Sequence, residues 1–229
     1  MEAETPRAGA RGIARLVIVD DHEVARAGLR SMLEREPDLE VVGEAVTGRE
    51  AIALCRQLEP DVVLLDVRMP DVDGLSATQV IKARSPRTSV IVVTMHDNPD
   101  YLFEALKAGA SGYILKDASQ RELVRAVRQV IAGETLPRPG RTAELLRRLA
   151  RKPRPAVAQP AAGLTPRELE VLELVTLGLT NREIAGTLSC SPGTVKVHVE
   201  HIIAKLEVSD RTQAAVRAVE LGLTSAPPE

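Results

Sequence analysis

The sequence predicts a doubly wound α/β domain with five parallel strands, followed by a linker and a small all-α domain. Three observations carry this expectation. Five short apolar runs alternate with five longer amphipathic segments over residues 16–132. Proline then clusters on both sides of a basic stretch within residues 136–163. From Gly163 onward no strand pattern remains, and apolar residues recur at helical spacing.

LVIVD (16–20) reads as the first strand and Glu23–Leu33 as the helix after it. EVVGEA (40–45) with Arg49–Leu58 makes the second pair, and DVVLLD (61–66) with Leu75–Ala83 the third. SVIVVT (89–94) with Tyr101–Ala108 and GYILK (112–116) with Gln120–Ala132 complete the series. Strands this continuously apolar are buried on both faces, as central parallel strands are. Proline-stiffened ends bracket a short helical pattern, Ala143–Ala150, which reads as a linker. Four helices are expected beyond it, over Pro166–Leu177, Asn181–Leu188, Pro192–Leu206 and Arg211–Leu221. Thr165-Pro166 and Ser191-Pro192 each place a capping residue before a first-turn proline, and Gly178 and Gly222 stand where helices should stop. The expected domains are therefore 13–135 and 163–225, with a linker over 136–162.

Apolar residues make up 44% of the 229, enough for a real core. No apolar run is long enough for a membrane span, and the first residues lack the apolar core of a secretion signal. A cytoplasmic protein with no membrane contact is expected. Cys55 and Cys190 fit no disulfide or zinc framework and are expected to be reduced and idle. Charge is uneven: residues 1–135 carry −5, residues 137–160 carry +6 and residues 161–229 carry −3. The basic excess thus lies in the linker, where nucleic acid could use it.

Function begins at the strand ends. In a doubly wound sheet, ligands bind at the carboxyl edge where strand order reverses. Asp20 and Asp21 end the first strand and Asp66 ends the third, and these strands are neighbours in the flavodoxin-like order. Three carboxylates this close repel unless a cation intervenes. Mg²⁺ suits the site, since it takes oxygen ligands and keeps waters. Thr94 ends the fourth strand and Lys116 the fifth, a hydroxyl and a positive charge. The set points to a phosphoacceptor. Asp66 attacks phosphorus to give an aspartyl phosphate. Asp21, Asp66 and a backbone carbonyl near Arg68 would hold Mg²⁺, while Lys116 and Thr94 take phosphoryl oxygens.

These residues carry a resemblance. VDD (19–21), LLDVRMP (64–70), Thr94 and GYILKD (112–117) resemble the receiver domain of two-component response regulators. The resemblance implies phosphorylation of Asp66 by a histidine kinase, with Asp20 and Asp21 organising Mg²⁺. It implies a switch role for Tyr113, three residues before Lys116, together with Thr94. Arg68 and Met95 are bulky where many receivers carry smaller groups, which bears on the lifetime of the phosphoryl group.

In the second domain, Asn181–Leu188, a short turn and Pro192–Leu206 have the spacing of a helix-turn-helix. Val195, Val199, Ile202 and Leu206 share one face of the second helix and should point to the core. The candidate DNA contacts are Thr194, Lys196, Val197, Glu200, His201 and Lys205. Lysines suit phosphates or guanine, and Val197 suits a thymine methyl. Glu200 either accepts from cytosine N4 or repels phosphate. His198 and His201 lack a third ligand beyond Cys190, so no metal is expected there. LTPRELEVLELVTLGLTNREIA (164–185) and SPGTVKVHVEHIIAKL (191–206) resemble the LuxR-type DNA-binding domain. With the receiver, the whole resembles the NarL/FixJ class.

The resemblance implies that the second helix of the motif enters the major groove and that the last helix pairs two chains. The expected function is a phosphorylation-controlled transcription regulator that catalyses only its own phosphorylation and dephosphorylation. Its expected partners are a histidine kinase, double-stranded promoter DNA, a second copy on activation, and RNA polymerase. Two rivals stay open at this point. An Asp-nucleophile phosphatase lacks the second aspartate two residues on, where Arg68 stands, and has no GxxxxGK loop for nucleotide. A phosphorylation-independent DNA binder sits poorly with an intact carboxylate set.

Overall fold

The computed structural model describes residues 12–95, 99–133 and 163–223. The linker, with the helix expected at Ala143–Ala150, lies outside the described residues. The chain divides into two compact units, and residues 98–107 group with the second of them.

The first unit contains a five-stranded sheet of order β2-β1-β3-β4-β5. Its strands are β1 (Ala14–Val19), β2 (Leu39–Ala45), β3 (Val62–Asp66), β4 (Ser89–Thr94) and β5 (Gly112–Leu115), and every pair is parallel. The helices α1 (Glu23–Leu33), α2 (Gly48–Leu58), α3 (Gly74–Arg84) and α5 (Gln120–Ile131) belong to it, while α4 (Pro99–Lys107) belongs to the second unit.

Period-two alternation sorts the strand residues between two cores. Leu16, Ile18, Val62, Leu64, Ile91 and Val93 pack with Leu33 of α1 and Leu123 and Val127 of α5. Val17, Val19, Val63 and Leu65 pack on the opposite face with Ala51 and Cys55 of α2 and Ala77 and Ile81 of α3. Cys55 is 1% exposed, and burial pushes its thiol up to about 12. It is inert, as a buried thiol away from cationic groups is. No described helix is long and apolar enough to cross a membrane.

The helical part of the second unit comprises α6 (Pro166–Thr176), α7 (Asn181–Thr187), α8 (Pro192–Lys205) and α9 (Arg211–Leu221). Thr165 and Thr180 each close a reciprocal capping box, with Glu168 and Glu183. Ser191 and Asp210 cap α8 and α9 through their side chains, and Gly222 ends α9 in the left-handed region at φ 73°. The expected stops and starts are thus met by their own local chemistry.

Candidate functional site

Strand register assembles the first site. Val19 lies opposite Leu65, so Asp20 and Asp66 reach the same carboxyl edge. Thr94 lies opposite Leu115, so Lys116 stands one residue beyond it, and the Lys116 N–H donates to the Thr94 carbonyl at 2.8 Å. Lys116 Nζ then sits 2.8 Å from Asp66 Oδ2 and 2.6 Å from Asp20 Oδ2. Asp20 is wholly buried, Asp66 is 4% exposed and Thr94 is 5% exposed. Tyr113 is 7% exposed.

The electrostatics follow from burial. Desolvation raises the Asp66 pKa and Asp20 raises it further, while Lys116 and the backbone at Arg68 oppose the shift. Burial also works against the charge on Lys116, but the two carboxylates outweigh it and raise its pKa. Lys116 thus meets two carboxylates, and with Asp21 beside them the cluster keeps a negative excess that a divalent cation would neutralise. Ligand atoms of Asp20, Asp21, His22 and Asp66 lie within 4.8 Å of one another, which fits the oxygen-rich set that Mg²⁺ takes.

Three supporting residues were not read from the sequence. Arg26 donates from Nη1 to the Asp20 carbonyl at 2.9 Å and from Nε to Glu44 at 3.0 Å, fixing the end of β1. Gly74 lets α3 begin against the Asp66 carbonyl, which a Cβ there would approach to 2.1 Å. His22 donates its backbone N–H to Asp20 Oδ1 at 2.9 Å and sets its ring beside Asp21. The run Asp20-Asp21-His22 and the Asp73-Gly74 pair were the available signals.

In the helix-turn-helix, Val195, Val199, Ile202 and Leu206 are buried as expected. Thr194, Lys196, Val197, Glu200 and His201 are exposed on the remaining surface of α8. Lys205 is used differently. Its ammonium lies 2.7 Å from Glu168 Oε2 and 3.0 Å from Oε1, joining α8 to α6. A lysine committed to that carboxylate has less charge to offer a phosphate. Arg167 Nη2 donates to the Leu188 carbonyl at 2.8 Å and steadies the turn between α7 and α8.

The Glu168 pair carries a pH dependence. Burial pushes its carboxyl up, but Lys205 and the backbone and hydroxyl of Thr165 outweigh this and hold it at about 2. The folded pKa lies below the unfolded value of about 4.5, so the stabilisation is complete above pH 4.5 and is lost as pH falls towards 2. Thermal melting of the second unit should lose stability across that window, and Glu168→Gln should flatten the loss.

Comparison with known proteins agrees with the two-part architecture. The family of response regulator receiver domains matches residues 16–128, and that of bacterial regulatory proteins of the luxR family matches residues 162–218. The response regulator VraR of Staphylococcus aureus is 39% identical over 209 residues, covering 91% of this chain and 98% of that protein. The transcriptional regulatory protein YxjL of Bacillus subtilis is 39% identical over 210 residues, covering 91% and 96%. Among solved structures, the RcsB response regulator of Salmonella typhimurium matches with a TM-score of 0.54 at 30% identity, covering 86% of this chain and 93% of that one. With its sheet, its carboxylate edge and its helix-turn-helix, the chain belongs to the two-component response regulators that join a receiver to a LuxR-type DNA-binding domain, the architecture of a transcription factor.

Proposed function

We propose that Asp66 is a phosphoacceptor whose modification controls DNA binding by the second domain. The observation that carries this reading is the buried Asp66 carboxylate held 2.8 Å from Lys116 beside two further aspartates. An Asp66 oxygen attacks phosphorus, and the bond from phosphorus to the kinase histidine nitrogen, or to a small acyl oxygen, breaks. The leaving group departs with that electron pair. Asp21, Asp66 and the backbone carbonyl of Arg68 would hold Mg²⁺, with Asp20 organising its surroundings. When bound, the ion supplies charge neutralisation at the phosphoryl oxygens. Lys116, relieved of one carboxylate charge, turns to a phosphoryl oxygen, and the Thr94 hydroxyl takes another.

Thr94 and Tyr113 then change position, so that a local charge event biases a two-state surface. We take the functional domains to be 13–135 and 163–225, joined by the basic linker. Thr194, Lys196, Val197, Glu200 and His201 face the major groove, and two copies of α8 read half-sites about 10 bp apart. Pairing runs through α9. The second domain has a net charge of −3 over residues 161–229, so one copy alone holds DNA weakly. RNA polymerase is the further partner through which bound regulator acts.

The experiment combines two readouts on the full chain. The protein is treated with a small acyl phosphate and Mg²⁺, the labelled residue is mapped, and binding to a randomised duplex library is followed in parallel. The label is expected on Asp66, with tighter and dimer-dependent binding after treatment. A label elsewhere, no label from any donor, or equal binding before and after treatment overturns the reading.

A further inference from the structure

Helix α8 carries a charge that its neighbours leave unanswered. Val195, Val199 and Ile202 turn one side of it into the core. At about 3.6 residues per turn, Gly193, Val197, Glu200 and Ala204 fall on the opposite side, and all four are exposed. Val197 leaves 48% of its surface open. Among the described residues, the Glu200 carboxylate has no hydrogen bond and no ion pair.

The nearby cations do not offset it. Lys196 stands one turn before Glu200, the weaker order for such a pair, and forms no ion pair with it. Lys205 is held 2.7 Å from Glu168 Oε2, and His201 Nδ1 lies 3.9 Å from Glu168 Oε1. Two roles are open to a carboxylate left in this state: it repels phosphate, or it accepts from a base. Its place on the helix decides between them. Side chains on the flanks of a groove-bound helix meet the phosphate walls, whereas those opposite the buried stripe meet base edges. The major groove offers two amino donors, cytosine N4 and adenine N6. Adenine sets its N7 acceptor beside N6, so a carboxylate at that edge also faces a lone pair. Cytosine has no such acceptor beside N4.

We infer that Glu200 is the specificity-determining residue of α8, and that it accepts from cytosine N4 next to a thymine whose methyl group packs on Val197. The two residues are three positions apart, ~4.5 Å along the helix. Stacked bases are ~3.4 Å apart, so the two base pairs are neighbours or next neighbours. A site without the cytosine leaves an unpaired anion in a negative groove. The carboxylate therefore lowers affinity for DNA in general and raises selectivity. The inference rests on the reading of α8 as the helix that enters the groove, and adds the base pair it selects.

The test uses the full chain, before and after treatment with an acyl phosphate and Mg²⁺, to select from a randomised duplex library. The wild type should enrich a half-site with a C·G pair within two positions of a T·A pair. Replacing that cytosine should weaken binding about tenfold. Glu200→Gln should move the preference to adenine and Glu200→Lys to guanine, with the other positions unchanged. A second measurement needs no variant. A pyrimidinone lacking the exocyclic amino group, placed opposite guanine, should cost the wild type about the same tenfold. Glu200→Ala should be indifferent to that replacement. A half-site without the cytosine, no effect of removing the amino group, or a Glu200→Gln protein that binds all sequences equally more tightly overturns the inference. Enrichment that ignores residue 200 refutes only the role of Glu200, whereas no enrichment of any sequence by the wild type refutes the reading beneath it.

Discussion

Arg211→Leu is expected to unfold the second unit. Arg211 is 1% exposed and begins α9, and its guanidinium donates to Asn181 Oδ1 at the start of α7 and to the Leu179 carbonyl just before it. A hydrogen bond from a charged donor contributes about 1.5–3 kcal/mol, and a buried acceptor left bare adds its own desolvation cost. Two such bonds amount to about 3–6 kcal/mol, comparable with the total stability of a domain of some 60 residues at ~0.05–0.15 kcal/mol each. Leucine fills part of the volume and satisfies neither acceptor. Arg211→Lys should recover little, because an ammonium on a flexible stem cannot reproduce the planar fork. Urea denaturation followed by far-UV circular dichroism should show the helical transition of the second unit lost while that of the sheet unit remains. Retention of both transitions at wild-type midpoints would show that the buried guanidinium does not hold α7 to α9.

Gly74→Ala should damage both stability and chemistry in the first unit. A Cβ at that position would stand 2.1 Å from the Asp66 carbonyl oxygen and 2.9 Å from Val67 Cα. Both contacts are backbone, so no side chain can turn aside to relieve them. The Gly74 N–H donates to the Val67 carbonyl at 2.9 Å, and the Thr78 hydroxyl donates to the Gly74 carbonyl at 2.7 Å. The glycine is thereby held where it stands, and the strain passes to the end of β3. Overpacking of this kind costs about 1–3 kcal/mol. If Asp66 is the proposed phosphoacceptor, displacing its carboxylate by about 1 Å should slow the reaction roughly 100-fold. The expected outcome is a folded but destabilised sheet unit, with phosphoryl uptake from an acyl phosphate slowed about 100-fold. Wild-type uptake by a folded variant would mean that the end of β3 absorbs the overlap without moving Asp66.

The division between local and distant information is visible residue by residue. Continuous runs such as Val62–Leu65 can lie only in a strand covered on both faces, so the strands were legible within a residue or two. The largest helix shift at an N-terminus, α4 beginning at Pro99 where Tyr101 was expected, is a matter of two residues. The meeting of Asp66 and Lys116 at one edge was legible because a charge at the end of a buried strand is conspicuous in sequence. Glu168 and Lys205 were not legible as a pair. They stand 37 residues apart, and each alone resembles a solvated helix charge, so Lys205 was counted among the DNA contacts. Nothing local in the sequence marks Arg211 for burial, which followed only from the packing of α9 against α6 and α8.

By itself the sequence determined the periodicities, the capping residues and the chemistry at the strand ends, because each depends on neighbours within a few positions along the chain. The tertiary structure alone decided which charges meet, which glycine must lack a side chain and where the imidazole of His22 points. Those outcomes depend on distances of 2–4 Å between segments remote in sequence, and electrostatic and steric energies change steeply over that range.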